Sequence, residues 1–148
     1  MGFVLILVIV AVIILVLLGI SLRKPAGDEV KSSDEIESFL SSVLGYTSSC
    51  TLGSENYQEI DDLILACNVG RLCFTGENSC DVLKQDLKGM MQESWKTGEE
   101  RPLKGYLLEV DLTSLGPLKI QEGNITKHYG EAHRSLAEGQ KVFVNLYF

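Results

Sequence analysis

The segment CTLGSENYQEIDDLILACNVGRLCFTGENSC, residues 50–80, contains all four cysteines of the chain. An even number of clustered cysteines in a small domain indicates two disulfide bonds and an oxidising environment. A zinc site is the alternative, but it usually needs paired C-x-x-C knuckles, and here 16, 5 and 6 residues separate successive cysteines. The sequence therefore predicts a disulfide-stapled fold that uses Cys50, Cys67, Cys73 and Cys80.

Three pairings of these cysteines are possible, and local geometry favours one of them. A predicted helix ends at Cys67 and the next helix begins near Cys80, with a glycine-containing loop between them. Two helices joined by a short loop bring those ends within the separation of roughly 4–7 Å between Cα atoms that a disulfide requires. The favoured pairing is therefore Cys67–Cys80, which leaves Cys73 in the loop to reach Cys50.

Downstream of the cysteines, the apolar period changes from helical to extended. Residues 50–95 are predicted to form a Cys-rich helical region, and residues 105–148 a small antiparallel β-sheet. Within residues 105–112, alternate side chains share one apolar face, and residues 118–121 and 141–148 are predicted to be further strands. Residues 122–140 are polar and are expected to form a loop.

Upstream, residues 28–45 predict an amphipathic helix, because apolar side chains recur every three or four residues and acidic side chains fill its first half. Gly45 suits the end of this helix. Residues 47–54 are expected to be a polar linker. The whole pattern is of the α+β class, with the helices and then the strands following one another along the chain.

The N-terminal residues 1–22 carry no charged side chain, and residues 3–18 are continuously apolar. About 20 such residues in a helix would span the hydrocarbon core of a bilayer, roughly 30 Å thick. A transmembrane helix is therefore predicted over residues 1–24, continuing into the amphipathic helix. A cleaved signal peptide is the alternative, but no basic residue precedes the apolar core.

Two opposed signals in the sequence bear on which side of the membrane the rest of the chain would lie. Arg23 and Lys24 favour the cytoplasm by the positive-inside rule. The cysteines favour the outside, and they are the stronger signal. The expected location is thus the cell membrane, crossed once, with residues 25–148 as an extracellular head domain.

The charge of the predicted head excludes one class of partner. All 20 acidic residues of the chain lie at residue 28 or later, together with only 11 of the 13 basic residues, so residues 25–148 carry a net charge of −9. Nucleic-acid binding needs a basic surface, and no nucleic-acid partner is expected. The charge is typical of a soluble head.

Motifs for catalysis are missing from the sequence. It contains no phosphate-binding loop, no dinucleotide fingerprint, no zinc-protease motif and no nucleophile elbow. His128, Glu131 and His133 are close in sequence and are a candidate metal site, and an enzyme using the loop 122–140 is a further alternative. The chain is predicted to be no enzyme and to need no cofactor or metal. Asn124 begins a glycosylation sequon, Asn-Ile-Thr, in the polar loop.

The order of these segments resembles that of type IV pilin-like proteins, and in particular of small archaeal pilin-like or membrane-anchored proteins. An uncharged apolar helix comes first, an amphipathic helix follows, and a cysteine-bearing helical region leads to a closing sheet. Leu5 stands where the bacterial pattern has Glu, a departure that archaeal subunits tolerate.

The resemblance implies a structural subunit of a cell-surface filament. Its partners would be copies of itself, packed through the N-terminal helix, and the lipid bilayer before assembly. The residues expected to line this self-assembly helix are Val4, Val8, Val12 and Val16. The alternative is a membrane-anchored extracellular binding or adhesion domain that does not polymerise.

Overall fold

The structure is a computed structural model, and it describes residues 9–16, 33–53 and 56–148. These residues form an α+β fold with a small antiparallel sheet, as the sequence predicts. The helices are α1 (residues 9–16), α2 (Ser33–Leu44), α3 (Ile60–Asn68) and α4 (Ser79–Ser94). The strands are β1 (Thr47–Thr51), β2 (Tyr57–Glu59), β3 (Gly105–Leu112), β4 (Gly116–Gly123), β5 (Tyr129–Ser135) and β6 (Lys141–Tyr147).

The structure contradicts the prediction of a transmembrane helix. Within the described ranges, no helix combines the length and the apolar content that crossing a membrane requires. The predicted single-pass location in the cell membrane depended on that helix, so this prediction is wrong as well.

The remaining residues of the predicted helix, 1–8 and 17–24, lie outside the described part of the chain. The same is true of residues 28–32, the start of the predicted amphipathic helix. The division of the chain into a segment 1–24 and a head 25–148 therefore stays a prediction.

Helix α2 is amphipathic, as its sequence predicts. Ile36, Leu40, Val43 and Leu44 are buried, and they recur at the three- and four-residue spacing of one helix face. Asp34 and Glu35 lie in its first turn, where negative charge suits the helix dipole. The buried face of α2 packs on β5.

The Cys-rich region contains more extended structure than its sequence predicts. The expected linker 47–54 forms β1 instead, which pairs antiparallel with β2. Helix α3 follows β2 directly at Ile60. Helix α4 begins as predicted, because the side chain of Asn78 accepts a hydrogen bond from the backbone N–H of Cys80 at 2.8 Å and caps the helix.

The main sheet has the strand order β4-β3-β6-β5, with every neighbouring pair antiparallel. Strand β3 has its predicted bounds, and its apolar face is buried as expected, with Tyr106, Leu108, Val110 and Leu112 all at most 3% exposed. Strand β5 lies in the expected loop 122–140, so that part of the prediction is wrong. It is an edge strand with one buried residue, Ala132. Its sequence therefore lacks the alternation of apolar and polar residues from which a strand is predicted.

One apolar core joins the helices to the sheet. It includes Leu40 of α2, Leu63 of α3, Leu87 of α4 and Val144 of β6, each at most 1% exposed. The ring of Trp95, just after α4, lies 4.0 Å from that of Phe39 in α2, measured between centroids. Residues 33–53 and 56–148 thus pack into one unit, and α1 contributes no residue to its core.

Candidate functional site

The apolar helix α1 is the most unusual surface of the described chain. All eight of its residues are exposed, and Ile9, Val12, Leu15 and Val16 expose 50%, 53%, 69% and 54% of their surface. A helix that is apolar on every side is normally covered by other apolar groups. Helix α1 is therefore a candidate contact surface.

Two of the four predicted self-assembly residues lie on α1. Val12 and Val16 are four positions apart and thus share one face of the helix. Val4 and Val8 lie outside the described residues. The chemistry that this face offers is limited to shape and hydrophobicity, because its β-branched side chains are stiff and carry no polar atom.

The four cysteines form two disulfides, Cys50–Cys73 and Cys67–Cys80, with Cα atoms 5.3 Å and 4.6 Å apart. This is the pairing that the sequence favours, and the pairing prediction is confirmed. Cys50, Cys67 and Cys73 are at most 3% exposed. Paired and buried sulfurs are poor nucleophiles, so these residues stabilise the fold and offer no thiol for catalysis.

Asn124 is exposed just after the end of β4. Its backbone N–H donates to the carbonyl oxygen of Lys104 at 2.9 Å, which fixes the chain at the sheet edge. The hydroxyl of Thr126, the third sequon residue, donates to the carbonyl oxygen of Phe148 at 2.8 Å. The sequon thus lies on an accessible surface, and glycosylation of Asn124 stays a prediction.

The candidate metal site of His128, Glu131 and His133 consists of exposed side chains in β5 and just before it. The ring of His133 stacks on that of Phe143, with centroids 6.0 Å apart. Among the residues that the structure describes, no three His, Cys, Asp or Glu side chains come together in an arrangement suited to a metal ion.

A cluster around the carboxylate of Glu122 was missed by sequence reasoning. Its Oε2 accepts hydrogen bonds from Nε2 of Gln92 at 2.8 Å and from the hydroxyl of Tyr106 at 3.0 Å. Its Oε1 accepts one from the hydroxyl of Thr97 at 3.3 Å. Glu122 lies directly opposite Tyr106 in the β3–β4 register, so an assigned hairpin register would have been the signal for this pair.

The cluster changes the acidity of two groups. The hydrogen bond from Gln92 lowers the pKa of the Glu122 carboxyl, helped by the hydroxyls of Tyr106 and Thr97 and by the nearby Lys88, and partial burial opposes this. Burial and the hydrogen bond to Glu122 raise the pKa of the Tyr106 hydroxyl. The cluster therefore holds an ionised carboxylate beside a neutral phenol, and it joins α4 to the sheet.

Comparisons of this chain with protein-family models, with curated proteins and with solved structures give no match. The resemblance to pilin-like proteins therefore stays an expectation from the layout of the sequence.

Proposed function

We propose that this chain is a structural subunit that assembles with copies of itself into an extracellular, pilus-like filament. The apolar N-terminal segment forms the centre of the assembly, and the acidic domain that includes α2 forms its outer surface. Contacts between copies are made by shape and hydrophobicity, without a cofactor.

The observation that carries this proposal is the exposure of α1. Seven large apolar side chains of this helix are between 47% and 69% exposed. Covering each of them again would contribute on the order of 1 kcal/mol, because full burial of a Val, Leu or Ile side chain gives about 1.5–3 kcal/mol. Packing with the same helix of other copies supplies a cover of matching length and shape.

Two further properties support an outward-facing head. Residues 25–148 have a net charge of −9, and like charges on neighbouring heads favour their separation in solvent. The two disulfides are typical of an extracellular or otherwise oxidising environment.

A non-catalytic role is part of the proposal. The Glu122 carboxylate accepts hydrogen bonds from Gln92, Thr97 and Tyr106, which belong to neighbouring elements of the fold. No free cysteine is present among the described residues. These arrangements favour a stabilising function over turnover of a substrate.

The test is the assembly of the purified full chain, followed by electron microscopy and by sedimentation. We expect filaments from the wild-type chain, and loss of most sedimentable material when Val12 and Val16 are both changed to Asp. The matched control is Ile125→Asp, because Ile125 is an apolar residue of similar exposure, 59%, in the folded domain. That variant should assemble like the wild type.

A wild-type chain that stays monomeric in all conditions would contradict the proposal. So would a Val12→Asp, Val16→Asp variant that assembles as well as the control. Near-ultraviolet circular dichroism checks that both variants keep the fold of the domain, so that a loss of assembly is not a loss of folding.

A further inference from the structure

A second exposed apolar surface lies in the disulfide-stapled region, far along the chain from α1. Four side chains there are unusually open to solvent: Tyr57 is 66% exposed, Val69 60%, Leu72 60% and Phe74 71%. We call these four residues the apolar tip. Single exposed apolar residues are ordinary, but a group of four on neighbouring segments is typical of an interaction surface.

The segments that carry the apolar tip are tied together. The Cys50–Cys73 disulfide joins β1 to the loop between α3 and α4. The backbone N–H of Phe74 donates to the carbonyl oxygen of Thr51 at 2.7 Å, and Thr51 is paired with Tyr57 in the β1–β2 register. Tyr57 and Phe74 are therefore held on adjoining backbone, and little ordering is needed before they can bind a partner.

A cleft of about 240 Å³ adjoins the apolar tip and shares Val69 with it. Apolar and polar groups both line this cleft, so it can take an apolar side chain and a charged one together. Its lining residues are Leu52, Gln58, Asp62, Leu65, Ala66, Val69, Arg71 and Glu138.

One lining residue of the cleft has a strained backbone. Glu138 has φ 57° and ψ 20°, and Gly139 follows with φ 82°, so the turn between β5 and β6 has two consecutive residues in the left-handed region. Asn followed by Gly is the preferred pair in such a turn, and Glu there is unfavourable. Glu138 also lines the cleft, so a residue that is unfavourable for the turn stands beside a possible binding surface.

The charge of this region is strongly one-sided. Residues 47–83 contain six acidic residues and one basic residue, Arg71. The exposed acidic side chains among the described ones include Glu59, Asp62 and Glu77. A partner that covers the apolar tip must therefore also neutralise carboxylates, which excludes nucleic acids and anionic lipid surfaces.

From these observations we infer that the apolar tip and its cleft bind a polypeptide segment of another protein in which apolar and cationic side chains alternate. Apolar side chains of the partner cover Phe74 and Leu72 and enter the cleft. Lysine or arginine side chains of the partner pair with Asp62 and Glu138. This function is separate from assembly through α1, and neither depends on the other.

A second copy of this chain fits the surface poorly. Its residues 1–22 contain no charged side chain, and residues 23–148 carry 13 basic against 20 acidic side chains, so their net charge has the same sign as that of the surface. Like charges across an interface oppose binding, whereas opposite charges raise both the rate and the specificity of association. The charge complementarity therefore selects a basic segment from a different protein.

The test uses the full chain captured on a sensor surface and three synthetic dodecapeptides. One alternates Leu and Lys, one alternates Ser and Lys, and one alternates Leu and Glu. We expect saturable one-to-one binding of the Leu-Lys peptide, at least tenfold weaker binding of the Ser-Lys peptide, and no binding of the Leu-Glu peptide. Failure of the Leu-Lys peptide to bind would overturn the inference.

Variants locate the binding on the surface. Changing Leu72 and Phe74 together to Ser should weaken binding of the Leu-Lys peptide at least tenfold, whereas the control Ile125→Ser should leave it unchanged. Asp62→Asn should weaken binding severalfold, and the control Glu100→Gln, a neutralisation at another exposed site, should not. Arg71→Gln should strengthen binding, because it removes the one cation of the region.

Glu138→Asn should change thermal stability and peptide binding in opposite directions. Asn suits the left-handed turn, so the melting temperature should rise, while loss of the carboxylate should weaken binding of the Leu-Lys peptide severalfold. Equal effects of the tip variants and their controls would show diffuse electrostatic attraction and overturn the inference. Binding of neutral phosphatidylcholine vesicles that is lost in the Leu72→Ser, Phe74→Ser variant would assign a lipid instead and also overturn it.

Discussion

At the scale of single residues, Glu122 shows how one carboxylate joins elements that are distant in sequence. Its donors come from the end of α4 (Gln92), from the segment that follows α4 (Thr97) and from β3 (Tyr106). Hydrogen bonds to a charged group contribute more than those between neutral groups, on the order of 1.5–3 kcal/mol each when shielded from water. Glu122 is partly open to solvent, so the lower end of that range applies.

The hydrogen bonds to Glu122 predict a pH dependence of stability. Because the pKa of Glu122 is lowered in the folded state, its contribution is complete above its ordinary value of 4.5 and is lost as the pH falls through the lowered value. Glu122→Gln should therefore lower the melting temperature by several degrees at pH 7, and the difference from the wild type should shrink below about pH 4.5.

The measurement is thermal unfolding between pH 2 and pH 8, with Glu100→Gln as the control at an exposed carboxylate. The control should track the wild type across the range. A difference between Glu122→Gln and the wild type that stays constant down to pH 2 would show that the ionised carboxylate is not the stabilising group.

Gly116 and Gly123 illustrate two reasons why a position requires glycine: a positive φ, and a lack of space for a Cβ. Both have positive φ, +74° and +80°. A Cβ at Gly116 would meet nothing within 4 Å, but a Cβ at Gly123 would collide with the carbonyl oxygen of Lys104. Gly116→Ala should cost about 1–2 kcal/mol for its backbone conformation alone. Gly123→Ala should cost at least about 1–3 kcal/mol more, because the sheet edge must move.

Urea unfolding of both variants tests this comparison. Equal losses of stability in the two would mean that the strands relax around Gly123 without cost. The sequence shows only that both glycines are near strand ends. The close approach of Lys104 follows from the register of β3 with β4 and cannot be derived from local patterns.

At the scale of elements, the two disulfides staple one continuous part of the fold. They close stretches with sequence separations of 23 (Cys50–Cys73) and 13 (Cys67–Cys80). Each bridge should contribute roughly 3 kcal/mol by restricting the unfolded chain, and the dependence on loop length is weak. Changing either pair to Ala should therefore lower the free energy of unfolding by a similar amount.

Limited trypsin digestion distinguishes the two disulfides. Arg71 is the one basic residue of residues 47–83, and it is exposed in the loop between α3 and α4. The variant without Cys50–Cys73 should be cut there faster than the variant without Cys67–Cys80, because it frees the loop from β1. Equal cutting rates in the native buffer would contradict this assignment of roles.

The elements that could be predicted from sequence are those whose own residues fix them. Strand β3 has a clear apolar alternation, and α4 has both an Asn78 cap and a helical apolar stripe. Strands β1 and β5 have neither signal, since β5 has one buried residue and β1 is a short run of small polar side chains around Cys50. Their extended conformation comes from pairing with β2 and β6, which is tertiary information.

At the scale of the whole molecule, two surfaces with different chemistry are separated along the chain. Helix α1 is apolar and uncharged, and the apolar tip is apolar within an acidic surrounding. The sequence indicated the first through hydropathy alone. The second could not be predicted, because its four residues follow no period. The segments that carry them are joined by the β1–β2 pairing and the Cys50–Cys73 bridge, which are tertiary contacts.

The shared core predicts that residues 33–148 unfold as one cooperative unit. Trp95, the only tryptophan, is 6% exposed and contacts Phe39, so its fluorescence reports on the junction of α2 with the segment after α4. Far-ultraviolet circular dichroism reports on all helices and strands. If α2 belongs to the same cooperative unit as the sheet, the two signals must change at the same urea concentration.

A fragment covering residues 33–148, with its disulfides intact, is the sample for this measurement. Phe39→Ala should lower the stability by about 2–4 kcal/mol through the cavity that it leaves beside Trp95, and it should shift both transitions together. A fluorescence transition that precedes the dichroism transition would mean that α2 detaches first. In the proposed assembly through α1, a force on α2 would then act on a separable helix. Coincident transitions would mean that such a force is distributed over the whole domain through the packing of α2 on β5 and Trp95.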